Sequence, residues 1–208
     1  MAAFKTMAAL LKQITDHHLL RGLFCQEQGL WKGKMGMSVF FFLLSRYTAN
    51  RWYEAFAGEL LDDVCNGLSQ YCSVTFDEGL CGIGWTIEFL KKEGFVEGDT
   101  DEILEEVDKK VMERDVRRIT DFSLETGLAG IAAYVRSRLD SERASGGGQP
   151  FDTAYLADLD SACRKHNIEW KSDAYSTTNL WKTILTQLPA KDEQAWQKGL
   201  TIIEGNNG

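Results

Sequence analysis

Three pairs of glycines, each pair separated by two residues, constrain this chain more than any other feature: Gly33/Gly36, Gly79/Gly82 and Gly127/Gly130. The first and second pairs are 46 residues apart, and the second and third 48. In the first turn of a helix alanine costs about 1 kcal/mol less than glycine. Recurrence at one phase therefore predicts a repeated packing requirement. Loops and neighbouring helices approach too closely for a side chain there, and backbone N–H groups are expected to stay accessible.

Each pair opens an apolar stretch with helical character. "GKMGMSVFFFLLSRY", from Gly33, is apolar nearly all round, as a helix covered on most sides should be. "GLCGIGWTIEFL" and "GLAGIAAYVRSRL", from Gly79 and Gly127, carry few charges in their first three turns. One-sided helices alternate with these. Tyr53, Phe56, Ala57, Leu60, Leu61, Val64 and Leu68 share a stripe within 50–70. Ile103, Leu104, Val107 and Val111 do so within 99–114, behind an Asp99 cap with Glu102 three residues on. Phe151, Tyr155, Leu156, Leu159 and Ala162 repeat the pattern within 151–166, and Phe4, Met7, Ala8, Leu11 and Ile14 near the N-terminus. Only two prolines occur and strand-like alternation is nowhere sustained, so the fold class is all-α, an array of helical hairpins.

A fourth unit is weaker. "DAYSTTNLWKTILTQL" offers Ser176 and Thr177 as caps and a stripe of Leu180, Trp181, Ile184, Leu185 and Leu188, but no glycine pair. "DEQAWQKGLTIIEG" follows as a last helix ending at Gly205. "ASGGGQP", residues 144–150, reads as a long loop within one domain spanning 1–208, because the repeat continues through it.

A chain of 208 residues buries about 70% of its unfolded surface and needs no covalent staples. Its formal net charge of −8 weighs against nucleic acid and anionic membranes as partners. The acidic run at 101–108 and the basic "RDVRR" read as solvated helix faces. No run approaches the roughly 18 apolar residues that span a bilayer. Lys5, Lys12 and Gln13 interrupt the N-terminal pattern, so it lacks a signal-peptide core. The cysteines, Cys25, Cys65, Cys72, Cys81 and Cys163, are odd in number and include no C-x-x-C pair, as expected of reduced thiols in a cytoplasmic protein.

"GKMGMSVFFFLLSRYT", "FDEGLCGIGWTIEFLKKEGFVEGDTDEILEEVDKK" and "DFSLETGLAGIAAYV" resemble the N-terminal repeats of lanthionine synthetase C-like proteins, the lanthipeptide cyclase group. The resemblance covers roughly residues 25–140. It implies an α/α toroid with the glycine motifs near the mouth of a cavity, here incomplete at about four hairpins. It also implies zinc, held in the cyclases by two cysteines and a histidine, the second cysteine and the histidine adjacent in a Cys-His-Gly motif. The metal would activate a peptide cysteine as thiolate for addition to a dehydrated serine or threonine. In this sequence the cysteines are followed by Gln26, Asn66, Ser73, Gly82 and Arg164, so the motif does not occur. The expectation is a chain without a zinc cofactor of its own.

Weaker candidates for chemistry remain. Cys163 and His166, three apart, fall on one helix face, where they are a metal pair or an apolar-stripe residue and a last-turn histidine. Cys81 lies near a helix N-terminus, a setting that lowers a thiol pKa, and in a position that suits a small buried residue. Trp85 fits either a peptide groove or the core. Asp77 and Asp121 precede glycine pairs, as does an acid near the zinc of the cyclases. Capping explains them equally. Walker, nucleophile-elbow and dinucleotide signatures are lacking, and no carboxylate pair stands out for glycoside hydrolysis. Two functions stay open. One is a non-catalytic module that binds a peptide or protein through the six glycines and Trp85, or assembles with a second copy or a completing chain. The other is a zinc-dependent cyclase finished by a partner or by Cys81, Cys163 and His166.

Overall fold

The computed structural model describes residues 2–68, 73–142, 148–187 and 194–205, and the side chains of 2–5 and 186–187 are outside that description. Cys72, Leu188 and most of "ASGGGQP" lie outside the described residues. Among those described, every regular element is helical: α1 (Ala2–Phe24), α2 (Lys34–Thr48), α3 (Arg51–Gly67), α4 (Leu80–Lys92), α5 (Thr100–Met112), α6 (Leu128–Asp140), α7 (Thr153–Lys165), α8 (Thr177–Gln187) and α9 (Trp196–Gly205). No helix among them is long and apolar enough to cross a membrane.

The three glycine-led stretches are α2, α4 and α6, and each begins at the residue after the first glycine of its pair. Every residue of α4 from Leu80 to Leu90 is buried, because α2 and α6 flank it while α5 and α8 also pack on it. Glycine permits part of this contact: at Gly84 a β-carbon would overlap the Tyr134 ring of α6. The one-sided stretches are α3, α5 and α7, returning antiparallel beside their partners. Asn50, Asp99 and Asp152 cap them through the backbone N–H groups of Trp52, Asp101 and Tyr155. Buried apolar side chains from all nine helices join one cluster.

The fourth unit breaks the pattern. Thr177 begins α8 beside Glu88, Ser137 and Ser141, at the C-terminal ends of α4 and α6, and Lys92 bonds Thr178 (3.4 Å). Trp181, one turn later, reaches back to Phe89 (4.6 Å between ring centroids). Helix α8 therefore runs antiparallel to α4, so the expected continuation of the repeat is corrected. Helix α9 takes the direction that α8 lacks. Trp196 lies against Gly36 and Gly199 against Phe40, which makes it parallel to α2. Helix α9 packs on both α1 and α2.

Candidate functional site

The glycine pairs collect at one end of the array. Gly33, Gly79 and Gly127 are N-cap residues with φ of −99, −117 and −112°, a backbone open to any residue. Space, not conformation, selects glycine. A β-carbon at these positions would press on the backbone of the preceding loop, and at Gly36, Gly82 and Gly130 it would overlap the carbonyl oxygens of Leu30, Phe76 and Leu124. Each of those carbonyls lies six residues before its glycine. The fourth unit has Asn179 at this offset, and its Nδ2 donates to the Asp173 carbonyl (3.1 Å).

The loops are joined by a ladder. Leu30 and Trp31 both donate their N–H groups to the Asp77 carbonyl (2.9 and 3.0 Å), and Phe76 and Asp77 both donate to that of Glu125 (2.8 and 2.9 Å). Trp31, Asp77 and Glu125 hold the same place in the repeat. The carbonyl of Trp31 also receives two donors, but these are side chains of α9: Trp196 Nε1 (3.1 Å) and Gln197 Nε2 (3.0 Å). The ladder consumes loop N–H groups that the sequence suggested would stay accessible.

Both candidate aspartates hold their own turns. Asp121 accepts the Ser123 N–H (2.9 Å) and the Thr126 hydroxyl, and these bonds keep its exposed carboxyl below the usual carboxylate range. Asp77 accepts the Glu78 N–H (2.7 Å). The carboxylate that departs most here is Glu78, which sequence reasoning missed. Burial, reinforced by the neighbouring Asp77, raises it to about 7.

The cysteine and histidine candidates do not converge. Cys81 is fully buried, and desolvation pushes its thiol well above the ordinary value, opposite to the effect expected at a helix N-terminus. Burial likewise pushes Cys163 up to about 12. His166 follows the last residue of α7 with its ring stacked on Phe122 (3.7 Å between centroids). Among the described residues no group of three or more His, Cys, Asp or Glu side chains is placed to hold a metal ion. Cys81, Cys163 and His166 therefore do not form the three or four convergent ligands that zinc takes.

Trp85 is in the core, with no part of its surface exposed. It stacks on Phe89 (5.6 Å) and Trp181 (6.4 Å), and Trp181 stacks in turn on Trp196 (6.5 Å). The indole does not line an open groove.

Two further features were not singled out from the sequence. Arg138, 1% exposed, faces Glu88 (2.6 Å), Asp108 (2.8 Å) and Asp101 (2.9 Å), tying α6 to α4 and α5. Tyr134 donates to Asp108 (2.5 Å) and Ser141 to Glu88 (2.6 Å). Burial nevertheless raises the Asp108 carboxyl above its ordinary range. The second feature is a groove of about 460 Å³ between α3 and α5, floored by Phe42 and Ile87 and walled by Leu61, Phe95, Val96 and Ile103. A β-carbon at Gly58 on its α3 wall would meet nothing within 4 Å. Glu54, Asp62 and Glu97 stand around it with Lys91 as the counter-charge.

Comparison with models of protein families, with curated proteins and with solved structures finds no match to this chain.

Proposed function

We propose that this chain is a lanthionine synthetase C-like helical-repeat module that binds a protein or peptide segment, rather than a cyclase holding its own zinc. The groove between α3 and α5 carries the reading. It has the size of a ligand site, an apolar lining and an acidic surround. Such a site suits an amphipathic segment that inserts large apolar side chains and keeps basic residues at the rim. The glycine-led repeats and their ladder give the motif a physical use, a rigid frame that spaces the outer helices.

The test is a titration of methyl-labelled protein with a designed helix bearing leucines at i, i+3 and i+4 and lysines on the opposite face. Saturable shifts at Leu61, Ile87, Val96 and Ile103, lost in Gly58→Leu, are expected. Shifts elsewhere only, or none, would exclude the groove as the binding site. Zinc offered to the dialysed chain is measured on the same size-exclusion peak. About one zinc per chain would overturn the reading in favour of the cyclase.

A further inference from the structure

We infer that helix α9 imitates the loop of a glycine-led unit, and that the contact it pre-empts is a head-to-tail one with the third glycine loop of a second copy of this chain. The joint between successive units has three parts. The Leu30 Cβ lies 3.4 Å from where a β-carbon of Gly82 would stand, and the Phe76 Cβ 2.6 Å from that of Gly130. The N–H groups of Leu30 and Trp31, and those of Phe76 and Asp77, converge on the carbonyl two residues before the next unit's first glycine. Each loop thus offers one apolar side chain and two donors, and the following unit receives them on a glycine and a carbonyl.

At the first unit, the head of the ladder, α9 supplies all three parts. The Trp196 ring lies 2.5 Å from the β-carbon position of Gly36, and Trp196 Nε1 and Gln197 Nε2 fill the Trp31 carbonyl (3.1 and 3.0 Å). At the third loop, the tail, the same parts are offered and not taken. Leu124 and Glu125 hold the places of Leu30 and Trp31, yet among the described residues their N–H groups make no hydrogen bond. Leu30 and Phe76 are 0% and 1% exposed, whereas Leu124 is only half-buried. Phe122, five residues before its glycine as the buried Val74 is before Gly79, is 38% exposed. Main-chain donors are obligatory hydrogen-bonding groups. The tail presents what Trp196 and Gln197 imitate, so its complement on this chain is the Trp31 carbonyl and Gly36 of a second copy. Such a contact is heterologous. Helix α9 competes for it with the advantage of an intramolecular partner, so the intact chain is held as a monomer and release of α9 permits assembly.

Light scattering in line with size exclusion is the test, on the intact chain. The wild type should stay monomeric. Trp196→Ala/Gln197→Ala, which frees Gly36 and the Trp31 carbonyl, should reach the mass of a dimer or more as concentration rises. Leu124→Glu added to that chain should return a monomer, because the open head then has no tail to meet. Mixed with the wild type, whose tail is open, the chain with all three changes should form a one-to-one dimer and nothing larger. Circular dichroism reports whether each is folded. Should the alanine pair unfold, Trp196→Phe/Gln197→Leu removes both donors, keeps a ring against Trp181, and should associate at higher concentration. In the wild type alone, hydrogen exchange should be fast at Leu124 and Glu125 and slow at Leu30, Trp31, Phe76 and Asp77. The fast pair should gain protection in the mixed dimer. A folded head-open variant that stays monomeric at several hundred micromolar would overturn the inference. So would a wild type that associates equally, association that survives Leu124→Glu, or protected Leu124 and Glu125 amides in the wild-type monomer. Gly58→Leu should alter none of these results, which separates a failure here from a failure of the groove.

Discussion

At Gly82 the only available place for a β-carbon coincides with the Phe76 carbonyl oxygen, so a single methyl group must displace the turn that feeds the ladder. Gly82→Ala is expected to destabilise the fold by about 1–3 kcal/mol, despite the better helix propensity of alanine. A fall in the urea midpoint at unchanged slope would show it; a neutral result would mean that the loop yields freely. Glu78, beside Asp77, gives the loop before α4 a pH dependence. Its folded value of about 7 exceeds the ordinary 4.5, so the folded state binds the proton more tightly. Its contribution to stability is full below about pH 4.5 and is lost as pH rises through about 7. Glu78→Gln should therefore gain on the wild type between pH 5 and pH 8, by about 1 kcal/mol once solvent screening of a half-buried carboxylate is allowed for. Urea midpoints of both proteins at the two pH values provide the check, and a constant difference would refute it.

Between elements, Arg138 is a buried cation that ties α6 to α4 and α5. Removing it leaves Glu88 and Asp108 in an apolar setting without their guanidinium. Arg138→Met should cost about 3–5 kcal/mol at neutral pH, and part of that loss should be recovered on mild acidification as the stranded carboxylates take up protons. Adding Glu88→Gln and Asp108→Asn to the same chain should restore most of the stability, since pairing and desolvation are removed together. Urea unfolding of the single and triple variants distinguishes this cluster from an ordinary surface network, for which all would lie close to the wild type.

For the molecule as a whole, α9 joins the two ends of the chain. Trp196 fills the space left by Gly36, stacks on Trp181 and supplies one of the two donors to the Trp31 carbonyl. Trp196→Ala removes all three contacts and should cost about 3–5 kcal/mol, measured by the urea midpoint. A loss below 1 kcal/mol would show that α9 contributes little to closing α1 and α2 against the rest.

The sequence by itself determined the helices and their phase. Glycine pairs at a constant spacing, apolar stretches buried all round and one-sided stripes are local patterns, and α2 through α7 form where those patterns place them. The direction of α8 was decided only by tertiary structure. Its caps and stripe suit either orientation, and the choice follows from which aromatic rings Trp181 meets. The same holds for the candidate site. Cys81 stands at a helix N-terminus in the sequence, yet the packing around it sets the sign of its pKa shift. Glu88, Asp108 and Arg138 lie up to 50 residues apart, and no spacing rule joins them. The groove between α3 and α5 is a gap between two helices, and a gap has no residues of its own to read.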